Sequence, residues 1–264
     1  MAAPKRGQRD REGRMPLVSH LLEFRRRLFI SAGAIIALSV GGFFVADWVW
    51  AQLQAPLLIV AEEQGRTAEV AYTYLTEAFD TRLQIAFTVG LVASSPVWLY
   101  QIWAFFMPAL HKNEKRFALG FVLTAVPLFL AGCFVGWLVL PNMVDLLVRF
   151  AAEGAATLLQ AKVYLDFSLK LLIAVGIAFV MPVFLVLLNF ADVISAKQIL
   201  KSWRIAVVVI SAFAAFATPA ADVVSMVLLI IPMVALYLVS AGIAWLSDKR
   251  KAKRNAEFLG TATA

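Results

Sequence analysis

The sequence predicts an all-α polytopic membrane protein. Six transmembrane helices form a curved, concave bundle with a short fifth- and sixth-helix hairpin, and both termini are cytoplasmic. Three observations predict this. Of 264 residues, 62% are hydrophobic and only 16% charged, with a mean hydropathy of +0.82; soluble domains run nearer 45–50% apolar and about 25% charged. Apolar runs occur at 28–46, 83–106, 117–140, 167–189, 205–217 and 223–246. Nineteen of the 24 Lys and Arg fall in residues 1–27, 110–116, 191–204 and 247–264, which are alternate connections and tails. The positive-inside rule assigns those segments to the cytoplasm.

Taken in order, residues 1–14 are polar and basic and read as a disordered tail before a membrane domain over 15–246. The run 28–46 is long for a signal-peptide core. More apolar runs follow it, so it reads as a retained helix ending at Asp47. The next three runs each suffice to cross about 30 Å of hydrocarbon. The fifth, Ile205–Ala217, holds 13 residues and reaches only roughly 20 Å. A helix that short thins the bilayer or sits where protein and water shield its ends. Residues 247–264 form a basic tail. Pro96, Pro127, Pro182 and Pro232 lie inside four runs and predict kinks, although proline is also simply common in membrane helices. Gly132 and Gly136 form a GxxxG, a close-packing face for an internal or an oligomeric contact; internal packing is the expectation.

Composition also excludes functions. Cys133 stands alone, so an internal disulfide, a CxxC pair and a cysteine zinc cage are ruled out. His20 and His111 are far apart, and no phosphate-binding P-loop occurs. No cofactor is expected. The net charge of +7 acts as an orientation device, not a nucleic-acid footprint. No Asp, Glu, Lys, Arg or His lies near the middle of a run, which argues against an ion-coupled transporter and a membrane hydrolase. Any site belongs at a water interface.

On the cytoplasmic face, outside the tails, the acidic residues are Glu23, Glu114, Asp192 and, ending the last run, Asp248. Glu23 lies in "MPLVSHLLEFRRRL", where Leu17, Leu21, Phe24 and Leu28 recur at helical steps and predict an amphipathic helix leading into the first span. Glu114 lies in "PALHKNEKR", a tight connection. One reading makes each a locally paired surface charge: Glu23 stands four residues before Arg27, the favourable order, and Glu114 adjoins Lys115 and Arg116. The other has both converge on a guest cation. A guanidinium presents a planar fork of donors that fits a carboxylate, so two carboxylates suit a ligand with neighbouring arginines. Sequence spacing leaves both open.

These residues resemble the TatC family of the twin-arginine protein translocase, from about Pro16 to Leu246. "HLLEFRRRL" is similar to the family's HLxELRxRL element, with Phe24 for the usual leucine. "SSPVWLYQIWAFFMPALHKNEKR" resembles its SxPxxxYQxWxFxxPxLxxxEkR element. "FVMPVFLVLLN" fits the fourth-span pattern, and "ATPAADVVSMVLLIIPM" the turn before the sixth.

The resemblance implies a non-enzymatic receptor for signal peptides bearing two consecutive arginines, carried by proteins exported already folded under the protonmotive force. It implies that Glu23 and Glu114 grip the substrate arginines, that Arg25 holds the site's geometry, and that Phe105 stands beside it. Pro56, in the first external loop, Pro96, and Asp222, at the hairpin turn, match positions of structure and coupling. Single-span partners of the TatA/TatB type would dock near Thr218 and Met226, with Val180 a further matched position at mid-depth. Many members carry glutamate where Val180 stands and glutamine where Met226 stands. Self-association within the bilayer into a larger complex is also implied. The rival readings are a small-solute transporter and a ligand-free scaffold.

Overall fold

The computed structural model describes residues 17–63, 68–106, 114–149, 157–190, 193–217 and 223–262. Helix α1 (Leu17–Glu63) comes first, then strand β1 (Ala68–Ala71), α2 (Glu77–Ala93), α3 (Ser95–Phe106) and α4 (Glu114–Arg149). Strand β2 (Thr157–Gln160), α5 (Ala161–Phe190), α6 (Ala196–Lys201), α7 (Trp203–Ala217) and α8 (Val223–Ala262) follow. Among the described residues four helices are long and apolar enough to cross a membrane, or five when the bent pair α2–α3 is counted as one span. The 15 residues of α7 fall short by length. Exposed side chains such as Phe44 and Phe216 are what a lipid-facing surface requires.

Three expectations change. The first helix does not stop at Asp47. Ala46, Trp50, Leu53 and Leu57 keep an apolar stripe at helical spacing, and it packs into the core, so α1 continues to Glu63. Pro56 therefore lies inside a helix rather than in a loop. Its missing N–H withdraws a partner from the carbonyl of Gln52, and one residue on the Leu53 carbonyl accepts from the Tyr164 hydroxyl at 2.5 Å. Second, the hairpin of α7 and α8 is short on one side only: α8 runs 40 residues, and residues expected as a tail extend it. Third, the fold is not wholly helical. The two strands pair in parallel from Ala68 opposite Thr157 to Ala71 opposite Gln160, tying together the segments that enter α2 and α5.

The sharp kink falls at Pro96. Helices α2 and α3 meet at 58°. Proline cannot donate to the helical ladder, and the chain breaks just before it. A continuous helix would give the Leu91 carbonyl to Ser95; here it accepts from the Ser94 hydroxyl at 3.2 Å and the Trp98 indole at 2.9 Å. Pro127, Pro182 and Pro232 stay inside unbroken helices.

Small residues set the tightest contacts. A Cβ on Gly132 would stand 2.8 Å from both the Gly176 Cα and the Val175 carbonyl oxygen, and one on Gly136 would stand 3.2 Å from the Leu172 Cα. The GxxxG is thus an internal contact of α4 with α5. Between α1 and α2, a Cβ on Gly90 would stand 2.7 Å from the Ile35 carbonyl oxygen. The largest fully buried side chains, among them Phe129, Leu57, Leu140 and Met143, fill the space these contacts leave.

Candidate functional site

The amphipathic start of α1 lies against the end of α3. On α1, His20, Glu23, Phe24 and Arg27 recur at three- and four-residue steps and share a face. On α3, Gln101 and Phe105 stand one turn apart. The His20 and Phe105 rings stack with centroids 4.4 Å apart, and Phe24 meets Phe105 at 5.2 Å. Beside this aromatic contact, Arg27 donates from Nε (3.0 Å) and Nη2 (2.5 Å) to Oε1 of Glu23, and from Nη1 to Oε1 of Gln101 at 3.1 Å. Both bonds to the carboxylate land on one oxygen. Oε2 of Glu23 accepts nothing among the described residues, and the side chain keeps 25% exposure. The result is a partly exposed carboxylate, one oxygen of which no described residue occupies, on a helix face that also meets the Phe105 ring.

The other expected residues divide. Phe105 comes together with Glu23 through its contacts to His20 and Phe24. Arg25 does not: it is exposed, and with Leu22, Arg26, Phe29 and Ile30 it lines a separate hollow. Glu114 is the first residue of α4, a helix that packs against both α1 and α3; its side chain lies outside the described residues. Thr218 and Asp222 also lie outside them. Met226 is half-buried against the main core. Val180 is 3% exposed and packs in a cluster with Leu99, Trp103, Phe121 and Phe129, so a partner would meet it only after this core opened.

Several polar residues to which sequence reasoning gave no partner organise the two ends. Glu77 is 4% exposed. One carboxylate oxygen accepts the Thr73 and Tyr74 amides at 2.5 and 3.2 Å, and the other accepts the Lys162 amide at 3.2 Å, in the first turn of α5. Asp47 takes Arg82 on both oxygens at 2.5 Å, and Gln84 donates to Asp166 at 2.5 Å. At the opposite end, Asp248 accepts the Asn189 amide group at 2.9 Å and the Ala196 backbone N–H at 2.8 Å. The Tyr237 hydroxyl donates to the Ile199 carbonyl at 2.5 Å. Together these fix the short helix α6 against α8. No signal of spacing marks the long-range pairs, because their partners lie up to 85 residues apart in the chain. Among the described residues no group of His, Cys, Asp and Glu could hold a metal ion.

Comparison with known proteins identifies the family. The family model for Sec-independent protein translocase protein (TatC) matches residues 19–232. The TatC protein of Xylanimonas cellulosilytica is 39% identical over 246 residues, covering 93% of this chain and 89% of its own. That of Aquifex aeolicus is 38% identical over 240 residues, covering 90% and 98%. A crystal structure of the twin-arginine translocase receptor TatC superposes with a TM-score of 0.71 at 33% identity, over 87% of this chain and 99% of that one. A second, in DDM, gives 0.75 at 34%, over 85% and 99%. With most of its length matched in sequence and in fold, the chain belongs to the TatC family of Sec-independent protein translocase proteins.

Proposed function

We propose that this chain is the membrane receptor and core subunit of a twin-arginine translocase. It binds twin-arginine signal peptides at the cytoplasmic face through Glu23 and Glu114 and exports folded proteins under the protonmotive force. It crosses the membrane six times, α7 included, with both termini cytoplasmic, and it catalyses no covalent step. The observation that carries the reading is the Oε2 of a partly exposed Glu23, which no described residue occupies, on a helix face that also meets Phe105. A guest guanidinium would fit there, and α4, whose first residue is Glu114, packs against the same two helices along its length. Arg27, itself braced by Gln101, holds the first carboxylate in place, while exposed Arg25 and Arg26 meet headgroups on the other side of α1. Single-span TatA/TatB-type partners dock on α7 and the start of α8, near Thr218 and Met226, where Trp203, Ile205, Val208 and Phe216 are exposed. Pro56, Pro96 and Asp222 act structurally.

The test is photo-crosslinking of a twin-arginine signal peptide to the chain in membranes. Glu23→Ala with Glu114→Ala should abolish the crosslink while the protein stays folded and inserted. Undiminished crosslinking by the folded double variant would remove the binding-site reading and favour a ligand-free scaffold.

A further inference from the structure

At the basic end of α8 a hollow of about 410 Å³ opens against the end of α5, lined by Phe190, Ile243, Leu246, Ser247, Arg250 and Lys251. Its two halves differ in chemistry. Phe190, Ile243 and Leu246 are 38%, 43% and 49% exposed and make an apolar wall continuous with the lipid-facing surface. Ser247, Arg250 and Lys251 make a polar rim one turn further out. The Lys249 ammonium lies 5.1 Å from the Trp245 ring centroid, and such an aromatic marks headgroup depth.

The rim is rich in positive charge. Residues 249–254 read KRKAKR, and Asp248 is the only acid in 247–254. Both Asp248 oxygens accept hydrogen bonds, from Asn189 and from Ala196, and of these cations it is Lys251 that acts electrostatically on the same carboxylate. Lys251 is anchored by its Nζ to the Asn189 and Phe190 carbonyls at 3.2 and 3.4 Å, which fixes the rim over the end of α5. Arg250 is exposed and makes no ion pair among the described residues.

We propose that this hollow holds one anionic glycerophospholipid of the inner leaflet. Its phosphate meets Arg250 and Ser247, and an acyl chain lies along Phe190, Ile243 and Leu246. An apolar trough under a cationic rim fits a molecule with a charged head and a hydrocarbon tail, and basic hollows on this side of membrane helices suit such headgroups. The site lies on α5 and α8, away from Glu23, and does not depend on the signal-peptide reading.

Native mass spectrometry of the full chain, released from mixed phosphatidylglycerol and phosphatidylcholine micelles, tests the proposal. The wild type should retain one phosphatidylglycerol in preference to phosphatidylcholine. Arg250→Gln should cut that preference about fivefold, the value of one cation near an anionic surface. Leu246→Asn should weaken retention of both lipids. High salt should erode the preference of the unaltered chain, a measurement that needs no variant to fold. Equal retention of the two lipids by the wild type, a preference untouched by Arg250→Gln, or one that survives high salt would overturn it. So would displacement of the lipid by inorganic phosphate alone, which would show a simple anion site.

Discussion

Arg27 places two N–H groups on a single oxygen of Glu23 and a third on Gln101. The carboxylate is therefore oriented but not saturated. A partly exposed ion pair of this kind contributes about 0.2–1 kcal/mol, which a guest arginine can match by adding a charge-assisted bond to Oε2. Glu23→Gln removes the charge and keeps the shape. Binding of a twin-arginine peptide should fall about 10- to 100-fold, since hydrogen bonds to charged groups contribute about 1.5–3 kcal/mol. Arg27→Gln removes only the internal partner and should change the affinity less than tenfold. Fluorescence titration of both variants in detergent checks the order. An equal loss in the two would make Arg27 part of the grip and not merely its support.

The substrate side gives a second prediction. Replacing both peptide arginines with lysine preserves charge but removes the planar fork. Binding to the wild type should fall more than tenfold, and the deficit should shrink in Glu23→Gln and vanish only in Glu23→Gln with Glu114→Gln, where neither carboxylate remains to read the fork. Competition with unlabelled peptides measures both. Parallel losses in the two proteins would point to plain electrostatic attraction.

Much of this was legible in the sequence, and the rest was hidden for identifiable reasons. Hydropathy located the long apolar helices because lipid demands such runs, and the GxxxG at Gly132 and Gly136 gave an internal contact. The motif singled out Glu23 and Phe105 as candidates, and the contacts of His20 and Phe24 with Phe105 bring their two segments together. The continuation of α1 past Asp47 was missed because a charged residue was read as a stop, although the stripe Ala46, Trp50, Leu53, Leu57 was present. The parallel strands and the roles of Glu77 and Asp248 depend on partners dozens of residues away, and no local periodicity encodes such pairs.

The α4–α5 seam supplies a stability prediction. Gly132→Val would push side-chain carbons into the Gly176 Cα and the Val175 carbonyl oxygen. Overpacking of this kind costs about 1–3 kcal/mol. A thermal-shift assay in detergent should show a lowered Tm for Gly132→Val. Gly33→Val, where a Cβ would meet nothing within 4 Å, should leave Tm nearly unchanged. A similar drop in both would mean that helix propensity, not interhelical contact, decides the effect.

At the other end, Asp248 is the last link between three elements: Asn189 closes α5, Ala196 opens α6, and Asp248 itself rides on α8. Asp248→Ala leaves the Ala196 amide without a partner and takes from the Asn189 amide group one of its two acceptors, the Ile194 carbonyl remaining at 3.0 Å. Losing a partner for a buried donor costs about 1–3 kcal/mol. Because Tyr237 still holds the Ile199 carbonyl, α6 should loosen without detaching. Hydrogen–deuterium exchange should rise sharply at Ala196 and its neighbours, and little along α5 above Leu187. Asp248→Glu should restore part of the protection, since a longer carboxylate still offers two acceptors. Unchanged exchange in Asp248→Ala would show that the short helix is held by its apolar contacts to Tyr237, Ala241 and Ala244 alone.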